Sequence, residues 1–346
     1  MFVLSFAMLS ACDDGGSNGV ARLRLLNVSA DYNSLDLYTA DKDADADTLS
    51  LSAVTYGSVS DYVSLTAGTY TLKVKRNGLS STLQTLSGAN LAEDSDRTYV
   101  SYGSTGHFGV MQIGEDNDAP DNGYTKVQVF NASEAGGLDV YVTDSSVDLE
   151  DASPTFSGLA SGAASSMNTI ERGTYRLRVT GTGDTADLRL DIPQIELVNK
   201  GVLAIIFTAT QGGVLVSAVT LPQGGSPVTY SNTKVRLRGA VGIANGIRAT
   251  ARVGGVNVLS SAAVGVLGNY VQIEAGSASV ALNVDGAAVP ADNVALVAGG
   301  EYTLLMWTNA NGTQTTLIDD NNRLPESGHA KIRVMNGISA LGVPIT

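Results

Sequence analysis

Four stretches of this 346-residue chain share one pattern, and their spacing constrains the fold more than any other feature. They read ARLRLLNVS from Ala21, TKVQVFNAS from Thr125, TKVRLRGAV from Thr233 and AKIRVMNGIS from Ala330. Successive openings lie roughly 100 residues apart, the size of one β-sandwich. In each, Leu23 and Leu25, Val127 and Val129, Val235 and Leu237, or Ile332 and Val334 alternate with Lys, Arg, Leu or Gln, the period of a half-buried strand.

Further blocks recur behind these openings. Asn27-Val28-Ser29 and Asn131-Ala132-Ser133 read as turns in which Asn and Ser side chains bond nearby backbone, and LDLY from Leu35 or LDVY from Leu138 resumes as a second strand. AGTYTLKV from Ala67 and RGTYRLRV from Arg172 alternate again after a glycine turn. Arg97 to Tyr102, Gly201 to Thr208 and Glu301 to Thr308 are more continuously apolar, as expected of central strands covered on both faces. No long amphipathic helix is evident. Segments rich in Asp, Asn, Pro, Gly and Ser at 114–122, 222–231 and 319–328 read as linkers. The expected organisation is therefore three β-sandwich repeats over 19–113, 123–221 and 232–318, with 329–346 the start of a fourth. That last segment reads either as part of a longer array or as a strand that completes a neighbour by β-strand addition.

The succession of ARLRLLNVSADYNSLDLY, AGTYTLKV and an apolar Tyr-containing strand resembles domain of unknown function (DUF) 4397, found in tandem in bacterial envelope and secreted proteins. The resemblance implies an all-β architecture of tandem immunoglobulin-like or transthyretin-like sandwiches and implies no chemistry. It covers the first two repeats well. The third departs, with Arg238-Gly239 in place of an aromatic-Asn pair and Gly276-Ser277-Ala278 in place of Gly-Thr-Tyr.

At the N-terminus, apolar residues Phe2 to Met8 run into Leu9-Ser10-Ala11-Cys12, which resembles the lipobox of bacterial lipoproteins. Residues 1–12 are read as a signal peptide, Cys12 as the lipidated residue and 13–18 as a flexible tether. No Lys or Arg precedes the apolar run, which points to a start further upstream. Asp13 resembles an inner-membrane retention signal, so either membrane of the envelope is open. No later apolar run approaches the roughly 20 residues of a membrane span.

Composition narrows the function classes. Asp and Glu outnumber Lys and Arg by 34 to 21, and the net charge of −13 argues against nucleic acid as a partner. One cysteine permits neither an internal disulfide framework nor a thiolate metal cluster. His107 and His329, the only histidines, give no basis for a Ser-His-Asp triad. Gly181-Thr182-Gly183-Asp184-Thr185-Ala186 fits a dinucleotide motif in spelling, yet an alternating strand follows where a helix is needed, so a hairpin turn is the reading. Asp41, Asp43, Asp45 and Asp47 lack the Gly and Glu of an EF-hand and read as a solvated loop. Asp116, Asp118, Asp319 and Asp320 at the domain junctions are weak calcium candidates; no other metal and no cofactor is expected.

Twelve of the 21 cations sit at outward strand positions, so they are not randomly scattered. Arg22, Arg24, Lys73, Lys75, Arg176 and Arg178, with Tyr38 and Tyr141 exposed beside them, form a candidate surface for an anionic polysaccharide. The competing reading pairs these cations across strands with Asp36 or Asp139. The expected function is a non-enzymatic, lipid-anchored protein of the bacterial cell envelope, periplasmic or surface-exposed, acting as an adhesion, binding or spacer module. Its partners are then the membrane, through the anchor, and polysaccharide or another envelope protein. An assembly subunit is the alternative, and a carbohydrate-active enzyme using two carboxylates is the weakest reading.

Overall fold

A computed structural model describes residues 19–334 other than 43, 45, 244, 310 and 327, so Cys12, the stretches read as signal peptide and tether, and most of the fourth segment lie outside the described residues. Among the described residues there is no helix.

The first sandwich holds β1 (Val20–Asn27), β2 (Ser34–Asp41), β3 (Thr48–Thr55), β4 (Val63–Thr66), β5 (Gly68–Arg76), β6 (Thr82–Leu91), β7 (Asp96–Tyr102) and β8 (Gly109–Gly114). They form two sheets, ordered β4-β1-β7-β8 and β3-β2-β5-β6, with β1 parallel to β7. An immunoglobulin sandwich would place its first, second, fourth and fifth strands together. Here the first strand shares a sheet with the fourth, seventh and eighth, which is the transthyretin-like partition. Leu23 and Leu25, read as one face of an alternating strand, are wholly buried between the two sheets together with Leu35, Leu37, Leu72 and Val74.

The second sandwich repeats this plan with β9 (Tyr124–Ala132), β10 (Leu138–Thr143), β11 (Phe156–Leu159), β12 (Asn168–Glu171), β13 (Gly173–Gly181), β14 (Asp184–Leu197), β15 (Gly201–Ala209) and β16 (Val216–Pro222). One strand is added: β17 (Val228–Tyr230), inside the segment read as a linker, pairs with β16. Its sheets run β12-β9-β15-β16-β17 and β11-β10-β13-β14.

The third sandwich comprises β18 (Lys234–Gly242), β19 (Ala249–Val253), β20 (Val256–Ala262), β21 (Val271–Glu274), β22 (Gly276–Ala278), β23 (Val280–Val284), β24 (Ala287–Val289), β25 (Val294–Leu296), β26 (Glu301–Asn309) and β27 (Gly312–Asp319). Its main sheets are β21-β18-β26-β27 and β20-β19-β23-β24. Where Gly-Thr-Tyr gives way to Gly276-Ser277-Ala278, the strand breaks, and β22 pairs with β25 in a small separate sheet.

The backbone corrects the reading of the third opening. Val241 donates to the Val266 carbonyl and accepts from the Gly265 amide. Asn27 makes the same pair of backbone bonds with Ser58 and Gly57, and Asn131 with Ala163 and Gly162. Val241, not Gly239, therefore stands in the Asn position. Gly239 takes the place of Leu25 and Val129, and Leu259 fills the space there, 2.3 Å from where a Cβ would lie.

The outer faces of the first sheets of sandwiches one and two pack against each other. Leu26, Val28, Val100 and Ile113 meet Phe130, Ala132, Ala204, Ile206, Val219 and Leu221 in a fourth apolar core. This explains why β15 is continuously apolar: Ile205 and Phe207 face the interior of their own sandwich, whereas Ala204 and Ile206 face the neighbour.

Candidate ligand surface

The eight residues of the predicted polysaccharide surface do not form one surface. Arg22 and Arg24 lie on β1, in the first sheet, whereas Tyr38, Lys73 and Lys75 lie on β2 and β5, in the opposite sheet of the same sandwich. Tyr141, Arg176 and Arg178 occupy β10 and β13 of the second sandwich.

Around Tyr38 the register sets Tyr38 beside Lys73 and Asp36 beside Lys75. The ammonium of Lys75 stands 4.1 Å from the centre of the Tyr38 ring. Lys73 Nζ is 2.8 Å and Lys75 Nζ 3.7 Å from the Asp47 carboxylate. The Lys73 hydrogen bond is the main reason that Asp47 titrates below the ordinary carboxylate range. Asp36 and Asp139 are buried and do not pair with these cations. Asp36 accepts from the Ala53 and Gly78 amides and from Asn77, and Asp139 from the Gly158 and Gly183 amides. Each therefore ties an irregular edge strand, β3 or β11, to the hairpin turn that follows β5 or β13.

In the second sandwich Tyr141, expected to be exposed, is buried, as is Arg178. Arg178 Nη2 donates to Thr143 Oγ1 and the Val147 carbonyl, each at 2.9 Å, while its Nε has no partner. Burial, followed by the neighbouring Arg176 charge, lowers its pKa. Arg176 makes a two-pronged pair with Asp191 at 2.8 and 2.5 Å, which raises its own pKa.

Arg22 and Arg24 belong to a cluster that the sequence did not announce. Both guanidinium groups stack over Tyr62, 5.2 and 4.7 Å from the ring centre. Arg22 pairs with Asp96 at 2.7 Å, and buried Arg24 donates to Thr98 at 2.9 Å and to Glu115 at 2.6 Å. Tyr62 donates its hydroxyl to the same Glu115. Burial first, then that hydrogen bond, moves the phenol pKa well above its usual value.

The third sandwich rebuilds this cluster from different stretches of chain. Arg236 and Arg238 each stand 4.5 Å from the centre of the Tyr270 ring. Arg236 pairs with Glu301 at 3.3 Å, Arg238 donates to Thr303 at 3.0 Å, and Tyr270 donates to Asp320 at 2.7 Å. Burial and Asp320 push the Tyr270 phenol up to about 12. In the second sandwich Lys126, Gln128 and Met167 take the corresponding positions, so the cluster is missing there. Of its carboxylates, Asp96 and Glu301 open β7 and β26, whereas Glu115 and Asp320 fall just after a sheet's last strand, in segments read as linkers, and its tyrosine comes from the loop before an edge strand. Only the Arg-x-Arg spacing is local.

The calcium candidates do not converge. Asp116 pairs with Arg97 at 2.7 Å, which holds its pKa down, and the Asp118 carbonyl accepts from Lys126. Asp320 is buried among Arg238, Thr303, Tyr270 and Arg333, whereas Asp319 is exposed at the end of β27. Among the described residues no three His, Cys, Asp or Glu side chains are placed to share a metal ion. Asp43 and Asp45 lie outside the described residues. His107 Nε2 sits 2.8 Å from the Pro325 carbonyl, and the Gly181–Ala186 stretch is a hairpin turn between β13 and β14.

A cavity of about 290 Å³ lies where the three sandwiches meet, lined by Asp31, Gly212, Glu301, Asp320 and Arg323 among others. Its polar groups are engaged with one another. Glu301 accepts from Arg236, the Val214 amide and Asn322, and Arg323 donates to Asp31 at 2.7 Å and to the Thr210 carbonyl.

The profile of the family described as "Domain of unknown function (DUF4397)" matches residues 21–141 and 233–343, more than half of the chain. No curated protein matches. Among solved structures, the crystal structure of CBMbc (family CBM26) from Eubacterium rectale Amy13K in complex with maltoheptaose is similar at 9% identity. It covers 60% of this chain and 96% of that one, with a TM-score of 0.20. A likeness of that score carries no argument about ligand.

Proposed function

This chain belongs to the DUF4397 family, and we propose that it is a non-enzymatic module of the bacterial cell envelope, lipid-anchored through Cys12, that spaces or presents a binding surface away from a membrane. One observation carries this reading: the apolar core shared by the first two sandwiches. It couples two repeats into a stiff unit, while the charged clusters beside it are satisfied internally. The anchor rests on the residues Leu9 to Cys12. Its test is the membrane fraction of cells that express the protein. Cys12→Ser is expected to release it, and retention of that variant in the membrane would exclude the lipid.

Polysaccharide is the second reading, and the half-buried Tyr38 ring capped by Lys75 favours it over the other clusters, because its components remain in reach of solvent. Binding of residues 13–346 to anionic and neutral glycans at low and moderate salt is the measurement. Salt-sensitive binding lost in Lys73→Glu and Tyr38→Ala supports a glycan site. Failure to bind any glycan leaves the spacer reading alone.

A further inference from the structure

In the first sandwich the outer face of the β1-β7-β8 sheet is closed by the second sandwich, which buries Leu26, Val100 and Ile113. The third sandwich presents the same face. Leu26 bridges to Val59, and Ala240 bridges to Leu267. Thr98 pairs with Ile113, and Thr303 with Ile318. Ala240, Leu305 and Ile318 thus hold the places of Leu26, Val100 and Ile113, and Trp307 holds that of Tyr102. Leu305, Ile318 and Trp307 are only half-buried, and Leu267 is 48% exposed.

The chain leaves the third sandwich as it leaves the first. Lys126 Nζ donates to the Asp118 carbonyl at 2.7 Å, and Lys331 Nζ donates to the Arg323 carbonyl at 2.6 Å, each across eight residues. Arg333 pairs with Asp320, the counterpart of Glu115, and Gln128, the counterpart of Arg333, lines a crevice together with Glu115. The segment is therefore already laid against the third sandwich in the manner of β9 on the first. Its other side is uncovered: Ile332 is 87% and Val334 73% exposed, whereas their counterparts Val127 and Val129 are wholly buried in the core of the second sandwich.

We infer that the outer face of the β18-β26-β27 sheet is a docking surface for a fourth sandwich of this same fold, opened by residues 330–346, in the arrangement that the second sandwich takes on the first. The side of the segment bearing Lys331 and Arg333 meets the third sandwich, and Ile332 and Val334 face the interior of the fourth. Both matches to the family profile agree with this unit, since each runs beyond one sandwich into the opening of the next.

Trp307, the only tryptophan in the chain, reports on the face. Acrylamide quenching of its fluorescence is compared between the full chain and the same chain ended at Gly328. Removal of 329–346 is expected to redden the emission and raise the quenching constant; no change in either overturns the proposal. A second measurement uses a short bis-maleimide on Cys12→Ser chains. Ile318→Cys with Met335→Cys is expected to link within one molecule, and Ile318→Cys with Val334→Cys is not. Equal linking of both pairs, linking of neither, or links only between molecules would each overturn it.

Discussion

Arg24 and Glu115 lie 2.6 Å apart with only 4% and 2% of their side chains exposed, and the same guanidinium reaches on to the Gly225 carbonyl of the second sandwich. Removing one partner of a buried pair leaves the other charge without compensation. Glu115→Ala is therefore expected to lower stability by about 3 kcal/mol or more, read from urea unfolding. Arg24→Met with Glu115→Leu should recover much of that loss. If the double variant is no better than the single one, charge imbalance is not the cause.

Phe130 is almost wholly buried in the apolar core between the first two sandwiches. Phe130→Ala should cost about 3–5 kcal/mol through lost burial and the cavity left behind. Because this core joins two repeats, calorimetry should show their shared transition separating into two. A single transition merely displaced to lower temperature would mean that the repeats are coupled by other contacts.

Asn27 donates to the carbonyls of Tyr32 and Val54 and accepts from the Ser29 amide, all out of solvent. Asn27→Ala leaves those groups unpaired, and a loss of about 1–3 kcal/mol is expected in denaturant titration. Asn131→Ala should behave alike, since Asn131 serves Gly136, Leu159 and Ser133 in the same way.

Asp31 joins the first sandwich to the segment after β27 through Arg323. Burial raises its pKa, but the Thr105 amide and the Arg323 guanidinium outweigh that effect, so the net shift is downward. A carboxyl with a lower pKa folded than unfolded contributes stability that is present above the unfolded value, about 3.9 for Asp, and lost as pH falls through the folded value. The pair is partly exposed, so Asp31→Asn should cost less than about 1 kcal/mol at neutral pH. The unfolding midpoints of the variant and the parent should converge as the pH drops below the carboxylate range. A difference that persists in acid would assign the effect to packing.

Inward positions were legible because a strand's side chains alternate with period two, so Leu23, Leu25, Val127 and Val129 declare their faces without any tertiary information. What covers an outward face leaves no such mark. Arg24, Arg178 and Tyr141 point outward from their own sheets and are nevertheless buried, Arg24 beneath the second sandwich and Arg178 beneath the turn at Val147. Leu26 and Phe130, apolar at outward positions, were the local trace of the interface. Spelling also misled at Gly239, which sits beside an Arg as Asn131 sits beside Phe130, although backbone pairing assigns the Asn position to Val241. Tyr62 and Tyr270 were illegible because the cluster each completes joins four separate parts of the chain.

The strand β17 decides how far such a protein can reach. In the first sandwich the chain arrives near Arg22 and departs at Gly114, both beside the Asp96–Arg97 end of β7. In the third it arrives near Arg236 and departs at Asp319, beside Glu301 and Tyr302. With arrival and departure at one pole, the next sandwich folds back alongside and adds girth. Only in the second does an extra strand run back along β16, from Val228 beside Thr220 to Tyr230 beside Ala218, and release the chain toward the opposite pole. An array built on this plan lengthens by pairs of sandwiches, and a chain lacking β17 would thicken without extending.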